Sequence, residues 1–287
     1  MRHRPRFLFL LVFFLFLFAC SNDQKVASGE QQFADAKNNL KSSDFKAALD
    51  NLNATIKVTS DDAVRQEALV LRVALVTALA DADERMAELY QTGAKQPLAH
   101  AQTAAFYAQR SDYNNAARTY LMDAMQMVMD ERSKLSSTPI SIEIPFPGFT
   151  AGDPALDKIK SGMLVSDNER LNAELQMDRN CLAQVLAGLA GADKDLNKGR
   201  EIYTAGKVPV DSRVYLVAFS DTFLRVGNMF DVKGVNDPDK LRTVNQVVRA
   251  NLDIAEKLLA AKPDKDLEAR VKKMQGDCDK CLKKLGA

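Results

Sequence analysis

The chain has 287 residues with 39 basic and 38 acidic side chains, so no global charge draws it to nucleic acid. It has no tryptophan and two histidines. Only His100, in the unsuggestive setting Leu-Ala-His-Ala-Gln, lies beyond the first twenty residues, which leaves little for a histidine metal site, catalytic triad or proton relay. It reads as a half-buried helix residue. Plentiful alanine and leucine favour helix, and the length suits one large domain or an extended repeat array.

Arg2, Arg4 and Arg6 open the chain as a basic stretch, and Phe7 to Phe18 is an unbroken apolar run. About a dozen apolar residues are too few for a comfortable membrane span and suit the core of a signal peptide. The run ends Leu17-Phe18-Ala19-Cys20. That ending resembles the lipobox of bacterial lipoproteins: an aliphatic residue three before the cysteine, a small residue just before it, then the cysteine. Phe18 is bulkier than the family's usual residue there.

The resemblance implies that residues 1–19 are a signal peptide and that Cys20 becomes an acylated first residue. That covalent lipid is the only non-protein group expected. Several acyl chains hold a protein at a bilayer far better than one. Ser21, in place of Asp, implies passage to the outer membrane, facing the periplasm. Residues 20–29 are polar and read as a flexible tether. The three arginines lie before Cys20, so 36 basic side chains face 38 acidic ones in the 268 residues that follow. No later segment is apolar enough to cross a membrane.

Residues 30–132 carry a period of thirty-four. Ser43-Asp44-Phe45 returns as Ser111-Asp112-Tyr113, two periods on. Ala48, Ala82 and Ala116 share one position, and Leu52, Met86 and Tyr120 another. Ala36, Val70 and Ala104 align in the preceding helices, as do Asn39, Val73 and Tyr107. This resembles the tetratricopeptide (TPR) repeat, whose paired helices approach through a small residue while a large one fills the gap between repeats. Asp35, Asn39 and Thr55 depart from the family's apolar or small preferences. The resemblance implies three antiparallel hairpins in an α-solenoid; the other reading is three amphipathic hairpins with accidental phasing.

Residues 133–154 break the frame. Pro139, Pro145, Pro147 and Pro154 forbid a continuous helix, and Ile140, Ile142 and Ile144 alternate with polar residues in an extended piece. Such a loop serves either as a lid over a groove or as an apolar connector between two helical halves; the connector is the favoured reading.

Residues 155–287 return to helix and read as a C-terminal helical bundle, completing an all-α fold with one proline-rich insertion. Ser166 to Glu169 is a capping-box sequence, followed by a stripe of Leu171, Leu175, Leu182, Leu186 and Leu189. Val214 to Phe230 is apolar on most sides and predicts a central buried helix. Asp237-Pro238 predicts an N-cap and first-turn proline, with Leu241, Val244, Val248, Leu252, Ala255 and Leu259 on one face. Arg213, Asp221, Arg225 and Asn228 fall near one face of the central segment. Asp221 and Arg225 stand at pairing distance in sequence. If that face lines a pocket, Arg213 or Arg225 could hold a carboxylate or phosphate; otherwise it is a solvated face, the favoured reading.

Beyond Cys20 the cysteines are Cys181, Cys278 and Cys281. Covalent haem needs a histidine after Cys281, where Leu282 stands, and zinc has no evident fourth ligand. Leu267, Val271, Met274, Cys278, Cys281 and Leu285 form one apolar stripe. An oxidising compartment predicts one disulfide, from Cys181 to Cys278 or Cys281, with a Cys278–Cys281 bridge geometrically tighter.

No nucleophile elbow, phosphate loop, zinc-hydrolase helix or paired-carboxylate signature is present. The sequence therefore reads as a non-enzymatic, lipid-anchored periplasmic scaffold that binds another envelope protein. In size, anchoring and repeats it also resembles the T-component lipoproteins associated with TRAP transporters. The TPR-type lipoproteins of outer-membrane protein assembly are a further likeness. The first resemblance implies binding of a small molecule or lipid. Thiol redox or metal chemistry at Cys278 and Cys281 is the third reading. A scaffold predicts an open polar groove, a ligand binder an enclosed apolar cavity, and a redox protein an exposed, acidified thiol.

Overall fold

Residues 73–82 of the chain are buried without exception. This stretch, Val-Ala-Leu-Val-Thr-Ala-Leu-Ala-Asp-Ala, is apolar or small on nearly every side, so its helix serves as an axis with neighbours all round. A computed structural model describes residues 28–132, 139–150, 152–192 and 195–286. The expected signal peptide, Cys20 and nearly all of the expected tether lie outside these, as do residues 133–138 of the proline-rich segment. The described residues are mostly helical, an all-α fold with one two-stranded sheet.

Helices α1 (Gly29–Ser42) and α2 (Phe45–Val58) form a tight hairpin. Ser43 adopts a left-handed φ of 63° and ends α1, while Asp44 caps α2 by accepting from the Ala47 N–H at 3.1 Å. The axial helix is α3 (Asp62–Ala94), and α4 (Thr103–Glu131) returns along it after a 3-10 turn begun by Pro97. Tyr90 meets Phe106 and Tyr113, and Arg72 meets Asp123 at 3.1 Å, so the two run antiparallel.

The thirty-four-residue frame therefore holds for one hairpin only. Its second and third units require turns inside α3 and α4, and both helices run straight through. The returning triplet Ser111-Asp112-Tyr113 sits within α4 because Phe106, Tyr113, Ala117, Leu121, Ala124 and Val128 keep one buried stripe in helical register across it. A turn there would split that stripe. Ala104 and Tyr107, expected to pack, are exposed.

The described part of the insertion is a packed connector. Strand β1 (Ile140–Ile142) pairs antiparallel with β2 (Val208–Val210), Ile140 opposite Val210. Ile142 and Ile144 are buried, as the alternation predicts. The Glu143 N–H donates to Glu67 at 2.8 Å, the Thr150 N–H to Asn180 at 3.1 Å, and Phe146 packs on Tyr203.

Helices α5 (Pro154–Lys160), α6 (Asp167–Leu189), α7 (Leu196–Thr204), α8 (Ser212–Gly227), α9 (Pro238–Ala261) and α10 (Lys265–Lys284) complete the chain. The Ser166–Glu169 capping box and the Asp237 cap with Pro238 in the first turn form as expected. On α6 the buried stripe is Ala173, Met177, Cys181, Leu182, Val185, Leu186 and Leu189, whereas Leu171 is exposed. α8 is buried over most of its surface, as predicted, but shares the centre with α3. His100 lies exposed on the turn before α4 rather than half-buried in a helix.

Candidate functional site

The four polar residues proposed along α8 do not converge. Arg213 is buried at the start of α8. Its guanidinium donates to Asp211 at 2.9 and 2.7 Å and to the Lys262 carbonyl just past the end of α9. It is a clamp, spent on the protein. Arg225 reaches across to Asp81 on α3 instead of pairing with Asp221. Asp221 and Arg225 share a cleft of about 350 Å3 with Gln184, Thr222 and Arg270. Asn228 opens on a different cleft beside Glu84 and Lys95. Eight-, four- and three-residue spacing aligns these side chains on α8, but the helices opposite change along its length.

The cysteines are free thiols: Cys181 and Cys278 buried, Cys281 half-buried. Cys181 sits on α6 among Glu84, Arg85, Asp83 and Asp178, whereas Cys278 sits on α10 beside Arg249, Asp277 and Asp279. The expected disulfide from Cys181 to the last helix is not formed: Cys181 on α6 and Cys278 on α10 each pack among different neighbours. Cys278 and Cys281 are neighbours, but one turn of continuous helix carries both. Burial pushes the Cys181 and Cys278 thiols each up to about 12 and raises Cys281 as well. Among the described residues no group of three or more His, Cys, Asp or Glu is arranged to hold a metal ion.

A different site stands out where α3, α4 and α6 meet. α3 contributes Leu79, Asp83 and Met86, α4 contributes Asp112, Tyr113 and Tyr120, and α6 contributes Arg170, Glu174 and Asp178. Each set repeats at helical spacing, so each helix turns one edge into a shared cleft of about 400 Å3. That is a small-molecule volume. Tyr90 supports Tyr113 from behind, their rings stacked at 5.5 Å and 23°.

The charges in this cleft are unequal in their company. Glu174 is well served, accepting from the Tyr113 hydroxyl and from Arg170. Asp83 and Asp178 have no hydrogen-bond or ion-pair partner among the described residues. Burial, with the charge of Glu174 adding, pushes Asp83 up to about 7. Burial pushes Asp178 up to about 8, with Asp83 and Glu174 raising it further. The Asp178 carboxyl is enclosed by protein atoms, although the residue keeps some solvent access at the cleft. Tyr120 is raised first by burial and then by both aspartates. A carboxyl in this state can hold a proton at neutral pH or accept a cation that the protein itself does not supply.

The one signal of this cleft in the sequence is the run Asp81-Ala82-Asp83-Glu84, which places three acids directly after the apolar stretch 73–80 of α3. No protein-family model matches the chain, no curated protein matches it in sequence, and no solved structure matches it.

Proposed function

We propose that the mature chain is a lipid-anchored protein of the cell envelope that acts by binding, not catalysis, and that its recognition site is the cleft between α3, α4 and α6. Attachment through Cys20 to the outer membrane, facing the periplasm, rests on the basic start, the apolar run and Leu17-Phe18-Ala19-Cys20. No helix of the described residues is long and apolar enough to cross a membrane.

One observation carries the binding reading: two half-buried carboxyls without a cation at the wall of a 400 Å3 cleft. Such groups weaken a fold, and proteins depart from local consistency in this way at functional sites. A small ligand suits this cleft better than the concave face of a solenoid would, since α3 and α4 are single helices rather than stacked hairpins.

A protein partner is the second reading. Met163 and Leu164, just before α6, and Leu171 in its first turns are exposed, as is Leu98 on the adjoining turn. Thiol redox chemistry draws no support from thiols raised above their usual range, since reactive thiols need the opposite shift.

The test is purification from native membranes followed by mass spectrometry of the intact chain and its co-purifying molecules. A chain beginning at an acylated Cys20, with a small molecule whose retention falls in Asp178→Asn, is expected. An unacylated chain, or a bound molecule indifferent to that substitution, would overturn the anchor or the cleft respectively.

A further inference from the structure

We propose that the α3–α4–α6 cleft takes a small organic ammonium, a free aliphatic diamine or polyamine, whose cationic groups pair with Asp83 and Asp178. The proposal rests on the cleft being the binding site, and adds the chemistry of its ligand.

Three features of the cleft point to this class. First, its walls carry Asp83 from α3, Asp112 from α4, and Glu174 and Asp178 from α6, against one cation, Arg170. Arg170 is committed to Glu174 and Asp167, so the remaining acids face no positive charge of the cleft's own. Second, Asp178 stands half-buried and unpartnered in the cleft wall, a carboxyl for which the fold supplies no counter-ion. Third, Tyr113 and Tyr120 line the same space, and aromatic faces attract ammonium groups.

A metal ion fits less well. Metal coordination draws carboxylates to one point, and no group of three is so arranged among the described residues. Carboxyls spread along three helix edges suit a longer cation with N–H donors at separate points. Met86 and Leu79 offer its methylenes an apolar wall.

Binding couples to protons. At neutral pH Asp83 and Asp178 are partly protonated, because burial holds them up at about 7 and about 8. An arriving ammonium favours the ionised carboxyls, so each acid gives its proton to the buffer as the ion pair forms. Aliphatic ammonium groups keep their charge to about pH 10. Affinity therefore rises with pH through the range in which the aspartates ionise, and levels off above it.

Calorimetric titration of the detergent-solubilised lipoprotein with putrescine tests this directly. The neutral diol of equal length and a lysine-containing peptide are titrated in parallel. Putrescine is expected to bind about tenfold or more tightly at about pH 8.5 than at about pH 6, releasing protons near neutrality. Asp178→Asn and Asp83→Asn should each weaken it by about tenfold while the melting temperature holds or rises, which shows that the variants fold.

Equal binding of the diol, or unchanged putrescine affinity in Asp178→Asn, overturns the proposal. Tighter binding of the peptide overturns a free amine as the source of the ammonium. Hydrogen exchange with the molecule that co-purifies from membranes separates the two levels. If a neutral or anionic molecule protects α3, α4 and α6, the cleft stands as the site and the amine assignment falls. Protection elsewhere removes the cleft itself.

Discussion

Two aspartates on α3, only two residues apart, meet opposite fates. Asp81 is fully buried and turns toward α6 and α8, where Arg85 at 3.0 Å and Arg225 both donate to its Oδ1. Arg85 also donates to Gln184 on α6, so the carboxylate sits in a network joining three helices. Asp83 turns toward α4 and α6 and meets Glu174 and Asp178 instead. Burial of charge alone is therefore uninformative. What separates architecture from a candidate site is whether the fold supplies the counter-charge.

The largest effect should come from breaking the paired side. Asp81→Ala leaves two arginines without their shared acceptor and is expected to cost about 3–5 kcal/mol in urea unfolding. A loss below about 1 kcal/mol would place Asp81 outside the load on the fold and erase the contrast with Asp83.

The unpaired side should respond with the opposite sign. The fold holds Asp178 at about 8, above the ordinary value of 3.8. A carboxyl raised in this way costs nothing below about pH 4 and costs progressively more as pH rises toward its folded value. Asp178→Asn should thus gain stability at about pH 8.5, by up to about 1.4 kcal/mol for each unit of that shift, and nothing at about pH 4. Thermal unfolding across that range checks it, and a uniform loss would mean that Asp178 has a partner.

How far these features could be read from the chain depends on how local they are. The Ser166–Glu169 capping box and the Asp237-Pro238 start depend on contacts within one helix, and the stripe from Leu241 to Leu259 on spacing within one, and each appears as expected. The triplet beginning at Ser43 makes a turn because Ser43 takes a left-handed conformation and its hydroxyl accepts from Arg179 of α6 at 2.6 Å. The similar triplet Ser111-Asp112-Tyr113 stays helical, since the apolar stripe of α4 continues through it. Closely similar local sequence takes two conformations, decided by distant packing. The cleft is less legible still: Asp83, Tyr120 and Asp178 come together only once three helices have chosen their neighbours. The α8 face failed for the converse reason, its arginines being claimed by Asp211 and by Asp81.

Smaller effects sharpen the paired class. Arg213→Ala removes the clamp between Asp211 and the Lys262 carbonyl and is expected to cost about 1–3 kcal/mol, read by chemical denaturation. An unchanged midpoint would return Arg213 to the pool of ligand-binding candidates. Smallest of all, Cys281→Ser should shift stability by about 0.5 kcal/mol or less. In the same preparation, alkylation of Cys278 should stay slow until the chain unfolds, since its thiol is buried and held at about 12. Rapid labelling of native Cys278 would revive the redox reading.

The contrast between the two faces of α3 is tested most directly by following the side-chain carboxyl carbons of Asp83 and Asp178 by NMR as the protein is titrated with acid and base. Midpoints of about 7 and about 8 are predicted for carboxyls that the fold leaves without a counter-ion. If both titrate near the ordinary 3.8, the cleft holds no unpartnered acid and the binding reading has lost its foundation.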